Sequence, residues 1–93
     1  MYKILLTTKF KKDLKKVKKD FADFELTSEV LKILQSSGVD GIDTQMKPHK
    51  LKGIYKNNWE CHIKPDLLII WFQIENPKEI KLIRLGSHAD LFK

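Results

Sequence analysis

Leu67-Leu68-Ile69-Ile70-Trp71-Phe72-Gln73-Ile74 runs directly into Glu75-Asn76-Pro77-Lys78 and then into the apolar stretch Ile80 to Leu85. The first run is nearly all apolar, as expected of a central strand covered on both sides, and the Asn-Pro pair marks a turn before a further strand. Gly86 closes that strand. Upstream, Trp59 to Ile63 alternates. This puts Trp59, Cys61 and Ile63 on one face of a strand and Glu60, His62 and Lys64 on the other. Near the start, Tyr2-Lys3-Ile4-Leu5-Leu6 is short and apolar and suits a first strand. Between these lies a different period. Phe10, Leu14, Val17 and Phe21 recur at spacings of four, three and four, which makes one apolar stripe on a lysine-covered helix. A second helix is expected from about Thr27, capped by its hydroxyl, with Glu29 in its first turn and Val30, Leu31 and Leu34 on its buried face. Gly38 and Gly41 open a loop that reaches to about Pro48. The order is β-α-α followed by three or four strands. It predicts an α+β fold in which a helical hairpin packs on one face of a twisted, mainly antiparallel sheet.

A chain of 93 residues buries only about 60–65% of its unfolded surface, so residues 1–93 are read as one domain. No apolar run approaches the roughly 20 residues of a membrane span, no cleavage-like site follows Met1-Tyr2-Lys3, and a cytoplasmic location is expected. The single cysteine, Cys61, excludes an internal disulfide and fits a reducing compartment. Charge is concentrated: Lys9 to Lys19 holds seven lysines against Asp13 alone, and the rest of the chain balances, so the net +6 sits in one segment. Lys11, Lys12, Lys15, Lys16, Lys18 and Lys19 are therefore an electrostatic footprint for a polyanion, or else a solvated helix face.

All three histidines come late, and each stands beside a signal for a turn or a strand end: His49 after Pro48, His62 before Lys64-Pro65-Asp66, and His88 after Gly86-Ser87. Cutting RNA without a metal needs a base for the 2′-hydroxyl, an acid for the departing 5′-oxygen, and cations for the charge on phosphate. His49, His62, His88, Asp66, Lys50, Lys52 and Arg84 supply each type. A metal site is the rival use of these groups. Adjacent Cys61 and His62 point to opposite faces of a strand, and the chain has no close His-x-x-x-His or Cys-x-x-Cys pair, so no metal is expected. Cys61 reads as a small buried apolar residue.

Three blocks carry a family likeness: His49-x-Leu51-x-Gly53, Glu60-Cys61-His62-Ile63-x-Pro65-Asp66-Leu67-Leu68, and Arg84-Leu85-Gly86-Ser87-His88-x-x-Leu91-Phe92. With them the chain resembles the YafQ-like toxins of the RelE/ParE superfamily, the toxin halves of type II toxin–antitoxin pairs. The resemblance implies a RelE-like fold and an endoribonuclease that cuts messenger RNA in the ribosomal A site, inhibiting translation without a cofactor. It implies that His88 is the general acid, that His49, His62 and Asp66 form the base and positioning group, that Arg84 holds the scissile phosphate, and that Phe92 stacks on a base. Lys50 and Lys52 would bind RNA, and the Lys11 to Lys19 face would bind the ribosome. The implied partners are an acidic cognate antitoxin, the ribosome with its message, and operator DNA through the toxin–antitoxin complex. Where the family commonly has arginine, this chain has Trp59. Its shared face with Cys61 reads as a core aromatic; if the family's arginine holds phosphate or the fold, either activity is reduced here or a lysine such as Lys56 takes over part of its task. The rival functions are a non-enzymatic ParE-like inhibitor, which lacks such histidines, and a nucleic-acid-binding module that uses the lysine face alone.

Overall fold

A computed structural model describes residues 1–92; Lys93, the last residue of the tail block, lies outside the described residues. The chain runs β1 (Lys3–Leu6), α1 (Thr8–Val17), α2 (Phe21–Ser37), β2 (His49–Lys50), β3 (Trp59–Lys64), β4 (Leu67–Glu75), β5 (Lys78–Gly86) and α3 (His88–Leu91). Three short 3-10 turns, Gly38–Gly41, Thr44–Met46 and Gly53–Tyr55, fill the segments flanking β2. The five strands form one sheet in the order β1-β5-β4-β3-β2, antiparallel except where β1 joins β5 in parallel. The expected α+β architecture is borne out.

The helix boundaries differ from expectation. Thr7 caps α1 by accepting a hydrogen bond from the Phe10 amide, and its hydroxyl donates to the Leu82 carbonyl at 2.8 Å, tying the helix start to β5. The stripe of α1 is Phe10, Leu14 and Val17 only. Phe21 is 73% exposed and opens the second helix, which starts there because the Asp20 carboxylate accepts from the Asp23 amide. Thr27 caps nothing. It is buried within α2, and its hydroxyl donates to the Asp23 carbonyl one turn back. At the end of α2, Gly38 takes φ +63°, and a Cβ there would meet Gln73 and Tyr2 at 2.7 and 2.8 Å.

Alternation along β4 divides the sheet residues between two cores. Leu67, Ile69 and Trp71 face the helices with Phe10, Val30, Leu34, Cys61, Ile80 and Leu82, and Trp59 packs against this core as expected. Leu68 and Ile70 face the other way, under Leu91, with Leu51, Tyr55, Ile83 and Phe92 against them. Cover on that second face stops at Phe72, which is 39% exposed, so β4 is enclosed on both sides only over its first half. Burial pushes the Cys61 thiol up to about 12, with the nearby Glu60 charge adding to the effect, which leaves it inert as a nucleophile at neutral pH.

One strand residue is turned over. The register between β3 and β4 shifts between His62 and Lys64. Because of this bulge Lys64 does not share the face of Glu60 and His62; its ammonium reaches Asp23 on α2 at 2.7 Å, and that bond raises its pKa.

Candidate active site

The face of the sheet away from the helices gathers most of the residues singled out in the sequence. In the pairing registers, His49 of β2 lies opposite Glu60 of β3, Glu60 opposite Ile70 of β4, and Ile70 opposite Arg84 of β5. These four make one lateral row about 14 Å long at the usual strand spacing. The next row is His62, Leu68 and Gly86, and from Gly86 the chain passes through Ser87 into α3. His62 and the start of α3 thus stand two strand spacings apart, roughly 9–10 Å.

His49 is held from both sides. Its Nδ1 lies 2.7 Å from the Lys47 carbonyl, and its Nε2 lies 3.3 Å from Oε1 of Glu60, whose side chain is 6% exposed. Both contacts are to oxygens. A carbonyl can only accept, so Nδ1 donates there, and Nε2 is the nitrogen that faces the Glu60 carboxyl. The other carboxyl oxygen, Oε2, is buried without a hydrogen-bond partner among the described residues. Among the described residues His62 is bound on one side only, with Nδ1 at 3.4 Å from the Pro65 carbonyl. When Nδ1 holds the proton, Nε2 of His62 is left with a free lone pair.

The tail is pinned at its start. Ser87 caps α3 through the Asp90 amide, and Oδ1 of Asp66 accepts from the His88 amide at 3.1 Å, tying the β3–β4 turn to the tail. The four-residue helix then brings positions 88 and 92 over one another, with the His88 and Phe92 ring centroids 4.8 Å apart. His88 itself is exposed, and Leu91 beside it is buried.

Arg84 is fixed by Asp13 of α1. Nε donates to Oδ2 at 2.7 Å and Nη2 to Oδ1 at 3.2 Å, and Oδ2 also accepts from the Leu85 amide at 2.9 Å. This fork raises the guanidinium pKa further above its already high value. Nη1 donates to the Tyr55 hydroxyl at 3.4 Å. Beside Arg84 opens a cavity of about 420 Å³ whose walls include Asp13, Asp20, Asp23, Asp66 and Asp90. Lys16 and Arg84 line the same cavity, and Asp13 and Asp23 are already paired with Arg84 and Lys64.

Two candidates fall elsewhere. Lys50 points to the face opposite His49, with its ammonium 5.5 Å from the Trp59 ring centroid, and Lys52 is exposed in the segment before the Gly53–Tyr55 turn. Lys11, Lys12, Lys15, Lys16, Lys18 and Lys19, on α1 and the turn after it, are all exposed, and Lys16 lines the cavity beside Arg84. Among the described residues, no group of three or more His, Cys, Asp or Glu side chains is placed to hold a metal ion.

A protein-family model described as "Bacterial toxin of type II toxin-antitoxin system, YafQ" matches residues 2–93. The chain belongs to the YafQ toxin family. Solved structures agree with that membership. A metal-bound toxin from Helicobacter pylori is 38% identical, with a TM-score of 0.84 over 99% of this chain and 100% of that one. The toxin of the E. coli DinJ-YafQ complex is 25% identical, with a TM-score of 0.86 over 100% of both chains. YafQ from E. coli strain BL21(DE3), at 24% identity, shares the fold with a TM-score of 0.87 over 100% of both chains. No curated protein matches the chain.

Within this YafQ-family chain, sequence reasoning passed over Glu60, Tyr55 and Asp13. Asp13 carried a signal: it is the one acid in the lysine segment, three residues after Phe10, and so borders the buried stripe. Glu60 was placed on the face of His62, but its meeting with His49 depends on the β2–β3 register. Tyr55 lies in a 3-10 turn with no periodicity to mark it.

Proposed function

We propose that this YafQ-family toxin is a messenger-RNA endonuclease that acts on the translating ribosome. The observation that carries the reading is the joining of His49, His62, Asp66, Arg84, His88 and Phe92, residues far apart in sequence, around one sheet face and the short helix that closes it. Phe92 stacks on a base of the message and places the adjoining phosphate by Arg84. The free Nε2 of His62 takes the 2′-hydroxyl proton, and the 2′-oxygen attacks phosphorus. As the bond to the 5′-oxygen breaks, His88 supplies the proton that this oxygen needs. Arg84 stabilises the charge on the phosphoryl oxygens, while His49, three strands away and held by Glu60, positions the message. Asp66 acts through the backbone of His88, holding the acid in place. A 2′,3′-cyclic phosphate and a 5′-hydroxyl result.

The Helicobacter relative is metal-bound. The described residues of this chain do not fit a metal ion, because no three potential ligands converge, and every proton in the scheme is carried by a side chain. The E. coli relative is solved with DinJ, which favours a cognate antitoxin as partner here. With a net charge of +6, an acidic partner is complementary. Operator DNA would be met through that complex. Purified protein added to a translating extract is expected to cut message equally well with and without a zinc-selective chelator, magnesium being kept sufficient for intact ribosomes. Loss of cutting on chelation alone would overturn the side-chain mechanism.

A further inference from the structure

We infer that Tyr55 is a positioning residue for this cleavage, linking the guanidinium that receives the phosphate to the helix that carries the acid. The inference rests on the endonuclease reading above. Tyr55 ends the Gly53–Tyr55 turn and packs, half-buried, against the Leu68, Ile70 and Leu91 cluster. Its hydroxyl donates to the Leu91 carbonyl at 3.1 Å and accepts from Nη1 of Arg84 at 3.4 Å. Its ring meets the Phe92 ring edge-on, with centroids 5.5 Å apart and planes at 85°.

The need for such a link follows from the length of α3. Four residues cannot sustain a helix alone, because the terminal amides and carbonyls have no partners within it. Asp66 and Ser87 satisfy amides at the start of α3, and Tyr55 satisfies the Leu91 carbonyl at its end. Each end of the helix that carries His88 is thus held by a side chain from another element.

Arg84 meets the same hydroxyl. Of the five N–H donors of a guanidinium, three are engaged among the described residues, two on Asp13 and one on Tyr55, so two remain there for an incoming phosphate. Arg84 is therefore oriented without being used up. The hydroxyl of Tyr55 makes the positions of phosphate and acid depend on one another, and Phe92, resting on both the Tyr55 and His88 rings, brings the substrate base into the same relation.

Tyr55→Phe keeps the ring and its packing and removes only the hydroxyl. On message-programmed ribosomes saturated with toxin, the single-turnover rate is expected to fall roughly tenfold, the scale of one lost hydrogen bond, with ribosome affinity unchanged and melting lowered by only a few degrees. A merely structural tyrosine would lower melting and leave the rate of the bound complex alone. Arg84→Lys retains the charge beside Asp13 without the donor to Tyr55. Combined with Tyr55→Phe it should cost less than the two single losses multiplied, and because each comparison is made within the bound complex, the cycle stays readable even if one variant melts earlier. A Tyr55→Phe protein that cuts at the parental rate, or effects of the two substitutions that multiply fully, would overturn the role of Tyr55 alone. Parental protein that fails to cut would overturn the endonuclease reading itself.

Discussion

His88→Ala is expected to lower the rate of message cleavage by about 10²–10⁴, the usual contribution of a positioned general acid, while ribosome binding stays nearly intact. The imidazole is exposed on α3, held through its own amide by Asp66, and rests against Phe92, so its removal takes away the donor without opening the core. Phe92→Ala should fail differently in the same assay. It removes the stacking surface and weakens substrate positioning by about 1–3 kcal/mol. Single-turnover rates at saturating toxin, read beside melting curves, separate the two. Cleavage by His88→Ala at the parental rate would make His88 structural and move the search for the acid to His49 or His62.

Replacing Lys11, Lys12, Lys15, Lys16, Lys18 and Lys19 together by glutamine is expected to weaken ribosome association more than any single change. Glutamine is close to lysine in helix propensity, and the buried stripe of Phe10, Leu14 and Val17 is left in place, so α1 should persist. The removed charges equal the whole net charge of the chain. Each lost phosphate contact should reduce the slope of log affinity against log salt by about 0.7–0.9, so six contacts correspond to a change of about 4–5. An unchanged slope would make this surface a solvated face with no part in ribosome binding.

The fold was legible where burial and period agree. Leu67 to Trp71 announces a covered strand because both of its faces are apolar, and Phe10, Leu14 and Val17 announce a helix because only one face is. Legibility failed where two local signals of the same kind competed. Asp20 and Thr27 are both capping residue types, and tertiary packing decided between them by burying Thr27. Alternation misplaced Lys64 because a bulge adds a residue without leaving any mark in the hydrophobic pattern.

Within the candidate site, the kinds of residue were legible and their partners were not. His88 and Phe92 are four apart, which on a helix means one above the other, and the structure sets their rings in contact. The pairing of His49 with Glu60 and the seat of Arg84 between Asp13 and Tyr55 depend on strand register and on how α1 packs against β5. Neither can be read from spacing along the chain. Sequence likewise grouped Lys50 with its neighbour His49, although a strand turns adjacent side chains to opposite faces, and here Lys50 meets Trp59 instead.

The measurement that bears hardest on the chemistry is the identity of the RNA ends left on programmed ribosomes, with naked message as the parallel substrate. Attack by the 2′-hydroxyl with protonation by His88 predicts cutting on the ribosome that leaves a 2′,3′-cyclic or 3′-phosphate and a 5′-hydroxyl. A 3′-hydroxyl paired with a 5′-phosphate would mean that water, not the 2′-oxygen, is the nucleophile, and would contradict the mechanism at its first step.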